Sequence, residues 1–487
     1  MIDTKSIRNK VLHLAITGRL VDQRPEEGTA EELYCQIQEE KERLVKEGKI
    51  KKEKPLPEIT EEEEPFEIPE TWKWVRLGDL LQVISGISYD KKDISSSGYR
   101  ILRGGNIQQT KILLEKDDVF LPEQYRDSKK EIRQGDILIV ASTGSKIVIG
   151  KPGFVDRPIP NTMIGAFLRI CRSYTVYTQD WLKCLFSSEF YREHIRDLAG
   201  GTNINNIRES YITEFVVPLP PLKEQKRISD KINGIFSLLD AIDLLQMQCG
   251  INANILKGKL LAAALTGRLV EQRPEEGTAE ELYCQIQEEK ERLVKEGKIK
   301  KEKPLPEITE EEEPFEIPET WKWVRLSSVG ITKTGNTPSK LHTDYFGSFI
   351  PFIGPGDIQN NVIKYNHQGL SESGANFGRT VEAGSVLQVC IGSIGKCAIS
   401  KMRVSFNQQI NAITPLVISE KYLFYILNSQ YFLTSIKMHS RGTVTPIINR
   451  GTWDAIPIPL PPLEEQKRIV NKLDELLALC RQLEGRP

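Results

Sequence analysis

The spacing of apolar residues predicts two related long helices. The first follows Pro218-Leu-Pro-Pro-Leu-Lys-Glu-Gln-Lys-Arg-Ile228, and its apolar residues alternate gaps of four and three: Ile228, Ile232, Ile235, Leu239 and Ile242. This is the a/d pattern of a helix that packs on another helix, so we expect one helix over about residues 222–265. The second follows Pro459-Leu-Pro-Pro-Leu-Glu-Glu-Gln-Lys-Arg-Ile469 and repeats the gaps: Ile469, Leu473, Leu476, Cys480 and Leu483. Prolines before the first turn and a glutamate within it favour both helix starts.

An almost identical block occurs twice in the chain. Residues 15–77 recur as residues 264–326 with two conservative differences. Inside the first copy, Thr29 and Glu32 form the capping-box pattern of a helix start, and Gly48 is typical of a helix end. The basic, proline-rich and then acidic stretch that follows predicts an extended, solvated connector and not a binding tail.

Two segments of unlike sequence lie between the repeated parts. We call residues 72–217 the first variable segment and residues 321–456 the second. Each contains a glycine followed by a short apolar run, which predicts a buried strand after a turn, at residues 135–140 and 384–389. One short helix is predicted near the end of each segment, over residues 181–195 and 422–436. A repeated frame that carries two unlike segments is typical of one architecture with two specificities.

The ends of the chain complete one further copy of the repeat. Residue 487 corresponds to residue 246, and residue 1 corresponds to residue 250. We therefore expect the two ends to meet, and a helix made of residues 463–487 and about 1–17 to run antiparallel to the central helix. The predicted fold is α+β, with two globular domains of mixed β-sheet and helices, separated by two long antiparallel helices that form a coiled coil with pseudo-two-fold symmetry. The predicted regions are an N-terminal helical region 1–71, domains 72–217 and 321–456, a central region 218–320 and a C-terminal helix 457–487.

The net charge becomes informative when it is divided among these regions. The whole chain carries −1, but the first variable segment has 21 Lys and Arg against 17 Asp and Glu, and the second has 13 against 6. Two basic segments in an acidic frame favour contact with nucleic acid. Chance segregation is the alternative for the smaller excess of the first segment.

The sequence shows no catalytic or metal-binding pattern. It has no phosphate loop of the form Gly-x-x-x-x-Gly-Lys-Ser/Thr, its five histidines are isolated and its eight cysteines form no Cys-x-x-Cys pair. We therefore predict a chain that is not an enzyme and binds no cofactor or metal, with reduced and mostly buried thiols. No apolar run approaches the roughly 20 residues of a membrane helix, so we expect a cytoplasmic protein without membrane contact.

Several motifs together resemble the specificity subunit of type I restriction–modification systems. They are Leu-Pro-Pro-Leu-x-Glu-Gln-x-Arg-Ile after each variable segment, Ile-Pro-x-x-Trp-x-x-x-x-Leu before each, Gly335-Asn-Thr-Pro-Ser339 and Gly392-Ser-Ile-Gly-Lys396. The resemblance covers essentially the whole chain. The first variable segment departs from it, because Gly86-Ile-Ser-Tyr-Asp90 stands where the second has Gly-Asn-Thr-Pro-Ser.

The resemblance implies a function and a set of partners. Each variable segment would be a target-recognition domain for one half of a bipartite, asymmetric site in double-stranded DNA, with the helix length setting an unread spacer. The helices would bind two adenine-methyltransferase subunits, joined by restriction and translocase subunits. S-adenosylmethionine, ATP and magnesium are then expected on those partners, which methylate or cleave the DNA.

Base recognition needs side chains that match the donors and acceptors on base edges, where Asn and Gln suit adenine and Arg and Lys suit guanine. The candidates in the first variable segment are Tyr89, Lys91, Lys92, Arg103, Asn106, Gln108, Gln109, Lys146, Asn203, Asn205, Asn206 and Arg208. Those in the second are Asn336, Thr337, Ser339, Lys340, Gln359, Asn360, Asn361, Lys396, Gln408, Gln409, Arg441, Thr443 and Thr445. Lys146, Lys151 and Lys396 are candidates for phosphate contacts. Each residue taken singly is equally compatible with an ordinary surface turn.

The duplicated tryptophans suit packing better than base recognition. Trp72 and Trp74 recur as Trp321 and Trp323. Identical residues are poor discriminators of two different half-sites, so we expect them to pack the domains on the connectors. Two other function classes stay open: an orphan DNA-binding or decoy protein without restriction partners, and a protein-interaction scaffold without a DNA role.

Overall fold

The chain folds into two compact units of the same design. The computed structural model describes residues 1–108, 110–114, 118–199, 205–301, 303–339, 341–365, 369–442 and 444–484. The N-terminal unit comprises Ile2–Leu245, and the C-terminal unit comprises Gln246–Pro487 with Met1. Each unit contains one variable segment together with frame elements on both sides of it.

The N-terminal unit combines helices with short strands. Its helices are α1 Thr4–Ile16, α2 Ala30–Lys46, α3 Gln179–Ser187, α4 Glu189–Leu198, α5 Glu209–Thr213 and the first half of α6 Leu222–Leu265. Its strands are β1 Lys73–Arg76, β2 Leu81–Ser85, β3 Tyr99–Leu102, β4 Ile107–Gln108, β5 Lys111–Ile112, β6 Val119–Leu121, β7 Ile137–Val140, β8 Ser142–Thr143, β9 Pro152–Phe154, β10 Thr162–Ile164, β11 Leu168–Ser173, β12 Asn205–Asn206 and β13 Val216–Leu219.

The C-terminal unit begins with the second half of α6 and repeats the design. Its further helices are α7 Ala279–Lys295, α8 Glu372–Phe377, α9 Glu420–Leu427, α10 Gln430–Met438, α11 Arg450–Asp454 and α12 Leu463–Leu483. Its strands are β14 Lys322–Arg325, β15 Gly330–Thr334, β16 Phe346–Gly347, β17 Ile350–Ile353, β18 Ile358–Gln359, β19 Val362–Ile363, β20 Gly369–Leu370, β21 Thr380–Val381, β22 Val386–Val389, β23 Cys397–Ile399, β24 Val404–Phe406, β25 Ile410–Pro415 and β26 Pro457–Leu460.

The four-stranded sheets of the two units correspond strand by strand, and the second sheets, with three and five strands, share a parallel strand pair. An antiparallel sheet has the order β2-β11-β7-β9 in one unit and β15-β25-β22-β23 in the other. A second sheet contains the parallel pair β3–β10, which corresponds to the parallel pair β17–β24. The buried strands predicted from the two apolar runs are confirmed as β7 and β22, both inner strands, and the preceding glycines Gly135 and Gly384 have positive φ. The prediction of mixed sheets with helices is therefore confirmed.

Long helices pair antiparallel within each unit. In the N-terminal unit, the Thr4 hydroxyl donates to Asp243 at 2.6 Å, while Gln23, beyond the other end of α1, donates to Glu224 at 2.7 Å. In the C-terminal unit, Lys257 contacts Glu484 at 2.7 Å, while Gln272 donates to Glu465 at 2.6 Å. The predicted helix over 222–265 is confirmed as α6. That the two chain ends meet on one helix stays a prediction.

The repeated Pro-Pro-Leu-x-Glu-Gln motif joins each variable segment to its helix. The buried Glu224 carboxylate accepts hydrogen bonds from the Trp72 indole at 3.0 Å and from Gln23. In the other unit, Glu465 accepts from Trp321 at 2.9 Å. Burial raises the pKa of Glu224, and the two hydrogen bonds oppose that shift. Trp74 and Trp323 pack edge-on against Phe66 and Phe315 of the connectors, with ring centroids 5.0 and 4.9 Å apart, which confirms the expectation that the duplicated tryptophans include residues that pack the domain on its connector.

The single short helix predicted near the end of each variable segment is wrong, because each is a pair of helices. Ser188 separates α3 from α4: its hydroxyl donates to the Leu185 carbonyl at 2.6 Å and accepts from the Tyr191 N–H at 3.3 Å. Ser429 separates α9 from α10 in the same way. A serine N-cap ends the preceding helix and starts the next, since its backbone is extended.

Helix α6 is long and apolar enough, by length and composition alone, to cross a membrane. The search for uninterrupted apolar runs in the sequence did not identify this helix, whose apolar residues are interrupted by Asp240 and Asp243 among others. Both carboxylates contact Arg8 of α1, at 2.5 and 3.0 Å, within the N-terminal unit.

Five of the eight cysteines are buried and all are free thiols, which confirms the expectation for the thiols.

Candidate DNA interface

A three-residue turn after the parallel strand pair forms the centre of a loop cluster in each unit. In the N-terminal unit, Gly165, Ala166 and Phe167 connect β10 to β11; in the C-terminal unit, Asn407, Gln408 and Gln409 connect β24 to β25. The two turns have the same backbone contacts. The Gly165 N–H donates to the Leu102 carbonyl at 2.9 Å, and the Asn407 N–H donates to the Ile353 carbonyl at 3.0 Å. Leu102 and Ile353 are the last residues of the parallel neighbouring strands β3 and β17.

In both units, the residues directly after an inner strand donate hydrogen bonds to the turn. The Phe167 carbonyl accepts from the N–H groups of Ala141 and Ser142 at 2.8 and 3.2 Å, directly after β7. The Gln409 carbonyl accepts from the Cys390 N–H at 2.8 Å, directly after β22. The two variable segments therefore present different side chains on one backbone arrangement.

Further loops complete the cluster in the N-terminal unit. β8, which begins at Ser142, pairs with β12, so that Asn206 lies opposite Ser142 and Asn205 opposite Thr143. The Ile87 N–H donates to Ile164 at 2.9 Å, which brings the segment containing Tyr89 to the turn. The loop that begins at Arg103 also lies at this turn, because it directly follows Leu102, whose carbonyl accepts the Gly165 N–H. The backbone therefore brings together segments that are more than 100 residues apart in the chain.

The C-terminal unit gathers the corresponding loops. The Asn336 N–H donates to Phe406 at 3.0 Å, and the Thr337 hydroxyl donates to Gln408 Oε1 at 2.6 Å. The Gly392 N–H donates to Pro446 at 3.0 Å, within the loop that carries Arg441 and Thr445. The cluster thus contains six of the residues that the sequence proposed for the second variable segment: Asn336, Thr337, Gln408, Gln409, Arg441 and Thr445.

Many of the proposed residues are exposed on these loops. Exposed members of the described set are Lys91, Lys92, Arg103, Gln108, Lys146, Asn206, Arg208, Thr337, Ser339, Gln359, Asn360, Asn361, Lys396, Gln408, Arg441 and Thr445. Tyr89, Asn336 and Gln409 are half-buried, and Lys92 lies 3.5 Å from Asp90. Gln109, Asn203, Lys340 and Thr443 lie outside the described residues.

Among the described residues, three of the proposed asparagines have side-chain hydrogen-bond partners inside the protein. The buried Asn106 side chain accepts from the Arg103 N–H at 2.8 Å and donates to Leu113 and Asp118, so it closes its own loop. Its equivalent in the other unit is Asp357, which accepts from the Gly354 N–H at 2.8 Å. Buried Asn205 donates to the Thr143 carbonyl at 3.2 Å. Because these amides are used internally, we leave Asn106 and Asn205 out of the interface that we propose.

Asn336 is the third of these amides. Its amide donates to the Phe377 carbonyl at 3.0 Å, and its oxygen accepts from the Arg379 N–H at 2.7 Å. The exposed asparagines Asn360 and Asn361 both have positive φ in the tight turn between β18 and β19. Asparagine tolerates that conformation, so turn geometry alone accounts for their presence.

The lysine loops of the two units differ in length. The Val140 N–H donates to the backbone carbonyl of Lys151 at 3.1 Å, and the Val389 N–H donates to the backbone carbonyl of Lys396 at 2.8 Å. Lys151 is therefore the structural equivalent of Lys396, and Lys146 lies in an extra part of the first loop. The buried guanidinium of Arg192 holds that part, because it donates to the carbonyls of Ile147 and Ile149 at 2.6 Å each, and burial lowers the pKa of Arg192.

Two exposed apolar residues at the N-terminal cluster were missed by the sequence reasoning. Phe167 is 67% exposed and Ile147 is 80% exposed. The search was directed at polar side chains and so passed over both. An alignment of the two turns at an offset of 242 sets Gly-Ala-Phe against Asn-Gln-Gln, which is the signal in the sequence that identifies Phe167.

Comparisons with known proteins point to one family. The family model described as Type I restriction modification DNA specificity domain matches residues 69–246 and 318–486. The specificity subunit of the type I restriction enzyme EcoAI from Escherichia coli is 29% identical, with 98% of this chain and 90% of that protein covered. The EcoEI specificity subunit from Escherichia coli is 25% identical, with 99% and 90% covered.

Solved structures share the fold. A chain from a study of complex assembly and conformational transition of the type I R-M system has a TM-score of 0.61 and 19% identity, with 86% of this chain and 94% of that chain covered. The HsdS subunit from Thermoanaerobacter tengcongensis has a TM-score of 0.52 and 20% identity, with 87% and 93% covered. At these identities the likeness concerns the fold.

Proposed function

Because the chain belongs to the family of type I restriction modification DNA specificity domains, we propose that it is the subunit that selects the DNA sequence for a type I restriction–modification complex. The relatives named above are specificity subunits that align over nearly their whole length. None of them supports the orphan DNA-binding protein or the scaffold without a DNA role.

One observation carries the proposal: the two units present unlike side chains on equivalent loop clusters. The turn contains Phe167 in one unit, whereas it contains Gln408 and Gln409 in the other. A protein that read the same base sequence twice would need the same side chains twice, since hydrogen-bond donors and acceptors on base edges differ between base pairs. We therefore propose a bipartite, asymmetric recognition site in double-stranded DNA, with one half-site bound by each unit.

Basic side chains on the same loops are proposed to hold the DNA backbone. Lys146, Arg208, Lys396 and Arg441 are exposed in the two clusters. Phosphate contacts fix the position of a protein on the duplex but do not specify sequence. In the C-terminal unit, a polar turn in the same cluster as such cations is the arrangement expected for a base-reading loop.

We assign no catalytic step to this chain. In the proposed complex, partner methyltransferase subunits bind S-adenosylmethionine and methylate adenine, and restriction subunits bind ATP and magnesium and cleave the DNA. The described residues of this chain contain no group of three or more His, Cys, Asp or Glu side chains arranged to hold a metal ion. Its contribution is to decide where the partners act.

Exposed apolar residues on α6 are proposed to bind those partners. Leu238, Leu244 and Leu245 are 60–68% exposed in the N-terminal unit, and Met247 and Ile255 are 57% and 53% exposed in the C-terminal unit. Large apolar side chains that a helix leaves exposed are candidates for contact with a partner protein. We propose that two methyltransferase subunits cover this surface, in the cytoplasm, and that the restriction and translocase subunits join them there.

Methylome sequencing tests the function. Cells that carry this gene and its partner genes are compared with cells from which only this gene is deleted. We expect N6-methyladenine at one bipartite, asymmetric motif that disappears on deletion. The purified chain with its methyltransferase partner should bind that motif, with an affinity that falls steeply as salt increases. An unchanged methylome, together with binding that shows no sequence preference, would refute the proposal.

A further inference from the structure

Equivalent turns in the two units have opposite chemistry. In the C-terminal unit, Gln408 is exposed and its oxygen accepts from Thr337 at 2.6 Å, which orients the amide. In the N-terminal unit, the corresponding turn has no polar side chain, and Phe167 is 67% exposed. An exposed aromatic ring at a site where the other unit presents amides indicates a different kind of base contact.

The backbone holds Phe167 firmly although its ring is exposed. Its carbonyl accepts two N–H groups, from Ala141 and Ser142, and Leu168 after it is fully buried in β11. Ser142 pairs on its other side with the exposed Asn206. The backbone of Phe167 therefore lies next to that of Ser142, which in turn pairs with the polar residue Asn206.

A second apolar side chain is held beside the basic part of the cluster. Ile147 is 80% exposed and follows the exposed Lys146. The Ile147 carbonyl accepts a hydrogen bond from the buried Arg192 guanidinium, which holds the loop in place. Exposed apolar groups that lie on a fixed, basic loop fit an occupant that offers both phosphates and apolar edges.

Thymine offers such an apolar edge in the major groove, where it is the one of the four standard bases that presents a methyl group, at C5. We propose that Phe167 contacts the C5-methyl group of a thymine in the half-site bound by the N-terminal unit. This assignment rests on the proposed function. Asn206, on the other side of Ser142, is then placed to contact an adenine nearby, since an asparagine amide pairs with its N6 and N7.

Deoxyuridine tests the assignment, because it removes the methyl group and leaves the base pair unchanged. The chain in complex with its methyltransferase partner is titrated with duplexes of the motif found by methylome sequencing. Each thymine of the first half-site is replaced singly. At one position we expect the affinity to fall about fourfold, the effect of one buried methyl group. The variant Phe167→Gln, which introduces the side chain of the equivalent position, should bind the thymine and deoxyuridine duplexes equally.

Two controls separate the outcomes. Deoxyuridine in the second half-site should affect the wild type and Phe167→Gln alike, which also shows that the variant is folded. Phe167→Leu should retain part of the preference for thymine, because it keeps an apolar side chain. Sequence-specific binding without a deoxyuridine effect that depends on Phe167 would overturn this inference and leave the function standing. A variant that loses its methyltransferase partner, with the deoxyuridine effect unchanged, would also overturn it, whereas wild-type binding without specificity would refute the function itself.

Discussion

A buried ion pair joins β11 to the residue directly before β7 in the N-terminal unit. Arg172 of β11 donates to both carboxylate oxygens of Asp136, at 2.8 and 2.6 Å. The residues are 8% and 2% exposed. The Arg172 guanidinium also donates to the Glu131 carbonyl at 2.8 Å, and Asp136 accepts the Arg133 N–H at 2.7 Å. Asp136→Ala would leave a buried guanidinium without its carboxylate.

The C-terminal unit fills the same position without charges. Ile137 pairs with Cys171 in one unit, and Val386 pairs with Ile413 in the other. The residues one position earlier, Asp136 and Ser385, are therefore equivalent, and so are the residues one position later, Arg172 and Thr414. There, the hydroxyl groups of Ser385 and Thr414 lie 2.7 Å apart. The chain thus contains its own neutral replacement for the ion pair.

The expected magnitudes differ between the single and the double substitution. Breaking a buried pair by removing one partner costs about 3–5 kcal/mol, because an uncompensated charge stays in the interior. We expect Asp136→Ala to lower the free energy of unfolding of the N-terminal unit by that amount. The double variant Asp136→Ser with Arg172→Thr should cost clearly less than Asp136→Ala, since both charges are removed together and no uncompensated charge stays in the interior.

Hydrogen exchange with mass spectrometry, measured across a urea series, reports each unit separately. Peptides from β7 follow the N-terminal unit, and peptides from β22 serve as the internal control. As a surface control, Glu40→Ala removes the exposed contact with Arg43 and should cost less than about 1 kcal/mol. If Asp136→Ala cost no more than this control, or the double variant cost as much as the single one, the reasoning from burial would be refuted.

Three further predictions follow from the frame and the variable segments. Glu224→Ala leaves the buried Trp72 N–H without an acceptor and should cost about 1–3 kcal/mol in urea unfolding, whereas the exposed neighbour Lys223→Ala should stay within about 0.5 kcal/mol. Burial lowers the pKa of His194 below its ordinary 6.5, so the unfolded chain takes up the proton at a higher pH than the folded chain. The free energy of unfolding should therefore fall as the pH drops from about 6.5 through the folded pKa. In His194→Gln, the difference in the free energy of unfolding between pH 7.5 and pH 5.5 should be smaller by this contribution. Replacing residues 321–456 with those of a relative should change one half of the methylated motif, and a change in both halves would contradict the assignment of one half-site to each unit.

Much of the architecture was determined by the sequence alone. The gaps of four and three predicted α6 over its observed length, because helix packing depends on local periodicity. The duplicated block predicted two units of one design, and the capping pattern at Thr29 predicted the start of α2. Local signals failed where a local choice was ambiguous: a serine inside an apolar pattern, as at Ser188, is compatible with a helix interior or with an N-cap, and its backbone conformation decides between them.

Only the tertiary structure decided which side chains of the variable segments are available to a ligand. Asn106 and Asn206 are equally good candidates in sequence, yet one closes a buried loop and the other is exposed beside a turn some 40 residues away in the chain. Likewise, Phe167 and Gln409 are equivalent because parallel pairing of β3 with β10, and of β17 with β24, sets both turns against the same strand ends. Periodicity along the chain determines elements, whereas the exposure of a loop side chain depends on contacts between residues far apart in sequence, and those contacts exist only once the sheets have formed.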